Sequence, residues 1–263
     1  MDWSFSFLWR SLESLFVDSF ITLSLDQCLF SEIEYLLLFD NTLGSTISPK
    51  IGQLTKLKSL FFGSNLFTGG LPIGSLQNLT NLEVVNLSDN SYSGALFDAI
   101  LSWPKIQGLS VDGLPNAQWS RIPTEIGLLT QLENFLGSKM YPMIPTEMTL
   151  LSNLSYLYLF DCKAPYGEEN AGPTTIPTDI GRLTHLTHLD LEGLQFLTGT
   201  LPTELALLTN LKSMNIRLND ITGELPSEIG RMTALTELDV AYMPGVKGTV
   251  PSEYGSIAKN LGT

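Results

Sequence analysis

Cysteine is almost missing from this chain of 263 residues: there are two, Cys28 and Cys162, and they form no CxxC pair. That spacing suggests neither a disulfide framework nor a zinc site, and two buried structural thiols are expected. Positive charge is scarce as well. Fourteen Lys and Arg face 27 Asp and Glu, a formal net charge of −13, which argues against nucleic acid or an anionic membrane as partner. No run of 18 apolar residues occurs, so no segment reads as a membrane-spanning helix. Histidine occurs only as His185 and His188, and no Walker, GxSxG, HExxH or kinase motif is present. His188 would stand beside Asp190 on one strand face, but without a nucleophile in register such a pair is a weak catalytic signal. The expectation is a protein that is not an enzyme, with no metal and no cofactor.

What the chain does have is one pattern repeated. Its clearest copy is Leu208 to Met232, LTNLKSMNIRLNDITGELPSEIGRM. Met214 and Ile216 flank Asn215 in the alternation of a strand with one buried face. Gly223 and Pro226 punctuate the return path, and Glu228-Ile229-Gly230 leads into the next copy. A unit this short cannot bury its own apolar face, so it requires like neighbours stacked on it.

The first leucine-type position recurs at Ile33, Leu57, Leu82, Ile106, Leu132, Leu154, Leu186, Leu211 and Leu235. The successive intervals are 24, 25, 24, 26, 22, 32, 25 and 24 residues. Residues 32–257 therefore read as one domain of nine repeats. Residues 1–31 do not fit: Leu8, Leu12, Leu15, Phe16 and Phe20 have helical spacing, and Ile21, Leu23 and Leu25 alternate like a strand. We expect this segment to cap the apolar end of the stack. Residues 258–263 read as the start of a further repeat or a truncated end.

The lines LTNLKSMNIRLNDITGELPSEIG, LTHLTHLDLEGLQFLTGTLPTEL and LTQLENF…IPTEM resemble plant-type leucine-rich repeats, LxxLxxLxLxxNxLxGxIPxxIGxLTxL. That subclass includes receptor-like kinase ectodomains and polygalacturonase-inhibiting proteins. The resemblance implies an α/β repeat solenoid: a curved horseshoe with a concave parallel β-sheet, a convex side of 3-10 turns and short helices, and a ligand face for peptides, proteins or glycans.

Two features can be read from the residues themselves. An Asn after the strand (Asn41, Asn65, Asn90, Asn219) should face inward and satisfy backbone groups of neighbouring coils. Leu114, Met140, Cys162, Leu194 and Met243 replace it elsewhere, breaking that ladder. Length variation concentrates between the strand and the following Pro position, and is greatest in Lys163 to Thr175, KAPYGEENAGPTT. That loop carries Tyr166, Glu168 and Glu169, and loops at the rim of a binding face are where repeat proteins diversify.

Residues alternating with the buried leucines should project from the concave face. Early units supply Tyr35, Phe39, Ser59 and Phe61, and middle units Asn86, Ser88, Ser110 and Asp112. The sixth presents an aromatic row, Tyr156, Tyr158 and Phe160. Beside it lie His188, Asp190 and Glu192, then Ser213, Asn215 and Arg217, then Glu237 and Asp239. Aromatic anchors next to carboxylates suit a basic peptide or protein, through cation–π contact and steering; a sugar stacked on the tyrosines is a further option. The opposed reading is that the row packs under the KAPYGEENAGPTT loop and the acids keep the array soluble.

Sequons occur at Asn78, Asn86 and Asn153, and bear on structure only in a secreted chain. The first residues do not read as a signal peptide, since Asp2 stands at the start and Arg10, Glu13 and Asp18 interrupt the apolar stretch. The resemblance nonetheless favours an extracellular or cell-surface site. The resulting expectation is a recognition scaffold for a protein or peptide ligand, receptor-like and tied to signalling or defence. The alternatives are an inhibitor of a cell-wall hydrolase and an intracellular structural scaffold.

Overall fold

The computed structural model describes residues 32–93, 97–114, 122–139, 143–162, 174–194 and 196–257. The expected N-terminal cap over 1–31, Cys28, Met140, most of the loop after Cys162 and the segment 258–263 lie outside these residues. Each repeat forms one coil, and each coil contributes one strand to a single sheet. The strands are β1 (Tyr35–Leu37), β2 (Ser59–Phe61), β3 (Val84–Asn86), β4 (Gly108–Ser110), β5 (Asn134–Ser138), β6 (Tyr156–Phe160), β7 (His188–Asp190), β8 (Ser213–Asn215) and β9 (Glu237–Asp239). They lie in chain order in a nine-stranded parallel sheet. Parallel order follows from the repeat, because each coil returns to the same side before starting its next strand.

Stacked leucines hold the coils together. From Leu57 onward, every first-position residue (Leu57, Leu82, Ile106, Leu132, Leu154, Leu186, Leu211, Leu235) is fully buried. Burying a Leu or Ile side chain contributes about 1.5–3 kcal/mol. The middle residues of the strands, from Leu60 through Met214, join the same continuous core. No coil has a core of its own.

The convex side is built from IPxEIG. Pro123, Pro145, Pro177, Pro202 and Pro226 sit at the N-caps of the 3-10 turns Thr124–Leu128, Thr146–Leu150, Thr178–Arg182, Thr203–Leu207 and Ser227–Arg231. Proline's fixed φ suits that entry, and the acid in each first turn lies near the free N–H groups. Two coils use short α-helices instead, α1 (Ile73–Leu76) and α2 (Phe97–Ile100). In the first coil Ser48 takes the Pro position and accepts from the Lys50 N–H at 3.3 Å.

Two glycines show why the pattern demands them. A Cβ on Gly230 would lie 2.5 Å from the Glu253 carbonyl oxygen, so only glycine lets adjacent turns approach this closely. Gly223 has φ +89°, and Thr200 of the preceding coil lies over it, 3.0 Å from where a Cβ would be. The same Thr-over-Gly contact recurs for Thr46 on Gly69 and Thr175 on Gly199.

The asparagine ladder forms at Asn65, Asn90 and Asn219. Asn65 Nδ2 donates to Leu38 O at 2.7 Å, and its Oδ1 accepts from Leu43 N at 3.0 Å. Asn90 bonds Phe62 O and Phe67 N, and Asn219 bonds Leu191 O and Leu194 N. Among the described residues Asn41 reaches carbonyls of its own turn, Leu38 and Phe39. Leu114, Cys162, Leu194 and Met243 fill the same position as buried apolar groups. A second ladder was not expected. The variable residue of LTxL donates to the preceding coil: Asn81 to Thr55 O at 2.9 Å, Asn153 to Thr130 O at 3.0 Å, and Asn210 to Thr184 O at 2.8 Å. His185 Nδ1 takes the same place against Ser152 O at 2.9 Å.

The residue just before the Asn position has a positive φ in all nine coils: Asp40, Ser64, Asp89, Gly113, Lys139, Asp161, Gly193, Leu218 and Tyr242. This left-handed turn ends each strand and starts the return path. Beyond it, short lateral strands Gly44–Ser45, Leu66–Gly70 and Ser91–Ser93 pair in parallel, as do Thr222–Glu224 and Gly245–Lys247.

Two expectations about the concave face need correction. Ser59 and Ser88 are buried, 5% and 7% exposed. Both are short side chains on a face where strand curvature crowds neighbours together. Ser59 lies between Tyr35 and Val84 in register, and Ser88 is tied by its N–H and hydroxyl to Asn86 Oδ1.

Candidate ligand-binding face

Parallel register arranges the inner residues as transverse rows. One row runs Tyr35, Ser59, Val84, Gly108, Asn134, Tyr156, His188, Ser213, Glu237. The next runs Leu37, Phe61, Asn86, Ser110, Leu136, Tyr158, Asp190, Asn215, Asp239. Two residues further along the chain stand Phe160, Glu192 and Arg217. Strands ~4.8 Å apart put β6 to β9 within ~15 Å, so the predicted residues form one patch.

Its aromatic part is ordered by stacking. Tyr156 lies parallel to His188, centroids 4.5 Å apart and planes 10° off, and parallel to Tyr158 at 6.3 Å. Tyr156, Tyr158 and Phe160 are half-buried rather than fully exposed. Burial, with Asp190 nearby, pushes the Tyr158 phenol up to about 12. Burial, with Lys212 second, lowers the His188 pKa below its usual 6.5, against a raising influence from Glu237. The imidazole Nδ1 lies 2.9 Å from Thr187 Oγ1.

The polar part is one network. Asn215 Nδ2 donates to Asp190 Oδ2 at 3.1 Å and to Glu192 Oε2 at 3.0 Å. Arg217 reaches Glu192 at 2.7 Å and Asp239 at 3.8 Å. Ser213 Oγ donates to Glu237 at 2.9 Å. Burial raises the Asp190 carboxyl despite the bonds from Glu192 N and Asn215, whereas the Arg217 hydrogen bond holds Glu192 below the usual carboxylate range. Four carboxylates and one guanidinium leave the patch acidic.

Sequence reasoning missed several residues here. Asn134 and Leu136 of β5 border the tyrosines, and Lys212 acts on His188 from the start of β8. Alternation would have found the first two. Leu218 and Tyr242, exposed on the rim, carry no alternation signal because they follow the strands. Among the described residues no group of three His, Cys, Asp or Glu could hold a metal ion, and no helix is long and apolar enough to cross a membrane.

Of the three sequons, Asn78 is exposed at the convex end of α1. Asn86 is half-buried on the concave floor, with Oδ1 covering Gly63 and bonded to Ser88. Asn153 is exposed, and its amide serves the LTxL ladder.

Nine coils with an inner parallel sheet, 3-10 turns outside and a single leucine core define a leucine-rich-repeat solenoid. Comparison with known proteins agrees. The family described as Leucine Rich Repeat matches residues 210–232. Receptor-like protein 41 of Arabidopsis thaliana is 30% identical over 197 residues, 74% of this chain and 19% of that protein. The Arabidopsis receptor kinase HAESA, solved with the peptide hormone IDA and the co-receptor SERK1, superposes with TM-score 0.70 at 26% identity, over 88% of this chain and 37% of that one. The plant peptide hormone receptor RGFR1, solved with RGF2, gives TM-score 0.60 at 26% identity, over 87% and 43%. The chain is a leucine-rich-repeat protein of the plant type, similar to receptor-like proteins and receptor-kinase ectodomains. It spans about a fifth of the curated relative's length.

Proposed function

We propose that this chain is a non-catalytic recognition scaffold, the ligand-binding region of a receptor-like protein at the cell surface. Its ligand is a protein or peptide segment with a cationic side chain, bound on the face built by Tyr156, Tyr158, Phe160, His188, Asp190, Glu192, Asn215, Arg217, Glu237 and Asp239. The observation that carries this is the register of Tyr158 against Asp190, with Asn215 and Asp239 following in the same row. A lysine or arginine lying along that row would stack on an aromatic face and meet carboxylates one strand further on. The names of the similar proteins support a peptide as the ligand class: HAESA was solved with a peptide hormone, and RGFR1 is named a peptide hormone receptor.

The test is binding of synthetic peptides of graded charge to the wild-type chain and to Tyr158→Ala with Asp190→Asn. Affinity should rise with positive charge in the wild type, and the double variant should lose that dependence while keeping its Tm within a few degrees. Equal affinities in both proteins would sink the reading. So would loss of folding in the variant, which would make the row part of the core.

A further inference from the structure

The left-handed residue that ends each concave strand is Asp, Ser, Lys or Gly in the first seven coils, but Leu218 and Tyr242 in the last two. Asp and Ser are short and polar, and Gly has no Cβ; a branched or aromatic side chain at positive φ is a poor local choice. Leu218 has φ 58° and Tyr242 φ 55°, so neither coil escapes the strain. Nor does burial offset it. Leu218 is 50% exposed and Tyr242 75% exposed. Two neighbouring coils thus carry unfavourable backbone and exposed apolar surface at one point, and strain of this kind concentrates where a ligand is held.

The two turns adjoin each other, since Leu218 N donates to Ala241 O at 3.1 Å. They also adjoin the acidic network. Leu218 follows Arg217, which is bonded to Glu192, and Tyr242 stands three residues beyond Asp239. Three residues of extended chain span ~10 Å, so one short ligand segment can touch both places.

We infer that Leu218 and Tyr242 form an apolar subsite continuous with the acidic face, so that the ligand is a peptide segment with a cationic side chain and, within about three residues of it, a large apolar one. This rests on the concave-face reading. The cationic group is drawn by Asp190, Glu192, Glu237 and Asp239; the apolar neighbour covers the rim pair. Charge complementarity selects this occupant over an apolar partner alone: Arg217 pairs with Glu192 and Asp239, but an apolar cover would bury Asp190 and Glu237, which form no salt bridge among the described residues, without a counter-charge.

Asparagine separates the subsite from a packing role, because it tolerates left-handed backbone yet offers little apolar surface. A random peptide library displayed on phage is selected on wild-type chain, on Leu218→Asn with Tyr242→Asn, and on Asp190→Asn with Glu237→Gln. Wild type should enrich peptides pairing Lys or Arg with a nearby Leu, Ile, Phe or Trp. The rim variant should keep the basic residue, lose the apolar one, and bind wild-type-selected peptides about tenfold more weakly, as loss of an exposed anchor does. Its Tm should rise as the strain is relieved. Identical selections on wild type and rim variant, or a lowered Tm with unchanged selection, would overturn the subsite and leave the concave-face reading intact. Equal enrichment on wild type and on the Asp190/Glu237 variant would overturn both.

Discussion

The imidazole of His188 lies face to face with the ring of Tyr156, centroids 4.5 Å apart. On its strand the histidine stands two residues from Asp190, which lies in the adjoining row, and Lys212 and Glu237 are its charged neighbours. Burial lowers the His188 pKa and raises that of Asp190, so the two titrations are displaced toward each other.

That pairing sets a pH dependence for the proposed ligand. Above the ordinary histidine value His188 is neutral, because its pKa is lowered further by burial. On acidification, Asp190 loses a negative charge and His188 gains a positive one. Both changes oppose a cation. Affinity for a basic peptide should fall on acidification, beginning above the ordinary carboxylate range because Asp190 is raised, and Asp190→Asn should flatten much of the fall. Calorimetric titration at falling pH checks it; affinity that rises on acidification would contradict the assignment.

Asn219→Ala should be among the more damaging single polar substitutions. It removes the acceptor for Leu194 N and the donor to Leu191 O, both in the preceding coil and both buried. At 1–3 kcal/mol for each orphaned group, the loss is about 3 kcal/mol, a fall in Tm of roughly 5–10 °C. Asn41→Ala should lower Tm much less, because its bonds among the described residues are to its own turn. Thermal unfolding of the two variants compares them directly.

The repeat made the fold legible. The nine leucine-type positions marked the coils, and the Asn position identified the inward ladder at Asn65, Asn90 and Asn219, though not at Asn41. The LTxL ladder was less visible because its residue looks like an exposed surface position; only stacking shows that Asn81 reaches Thr55 across coils. The patch on β6 to β9 followed from alternation alone. Alternation failed at Ser59 and Ser88, since it gives direction but not depth, and short side chains on a curved face are overshadowed by their neighbours. Leu218 and Tyr242 escaped it altogether, because their significance lies in a backbone angle.

Glycines of the same helical-turn region should divide by what surrounds them. Gly230→Ala would bring a methyl 2.5 Å from the Glu253 carbonyl and force two coils apart, a loss of about 1–3 kcal/mol. Gly74, inside α1, has nothing within 4 Å of its missing Cβ, and Gly74→Ala should stabilise by about 0.5–1 kcal/mol. Opposite shifts in Tm are the expected result, and a destabilised Gly74→Ala would show that coil contacts there are not set by local propensity.

Glycosylation should discriminate among the sequons in a eukaryotic secretory host. Asn78 is exposed on the convex side, whereas a glycan on Asn86 would stand on the concave floor above Gly63. Peptide mapping after glycosidase treatment should find occupancy at Asn78, removed by Asn78→Gln, and none at Asn86. An occupied Asn86 would contradict use of the concave face for ligand.

Tyr92 offers a test of the core itself. It ends an aromatic series in which Phe62 and Phe67 lie 5.2 Å apart and Phe67 and Tyr92 6.2 Å apart, the latter pair stacked. Its ring is 1% exposed, and its hydroxyl has no hydrogen-bond partner among the described residues. Burial pushes the phenol far above its usual value, so it stays protonated at every working pH. A buried hydroxyl that has given up water and gained no partner is a net loss of about 1–3 kcal/mol. Tyr92→Phe removes that group and keeps the stack, so it should raise stability by up to about 2 kcal/mol. Tyr92→Ala loses the ring as well and should cost about 3–5 kcal/mol. Denaturant unfolding of both variants separates the two contributions. A destabilised Tyr92→Phe would mean that the hydroxyl holds a bond, most simply through a buried water between coils.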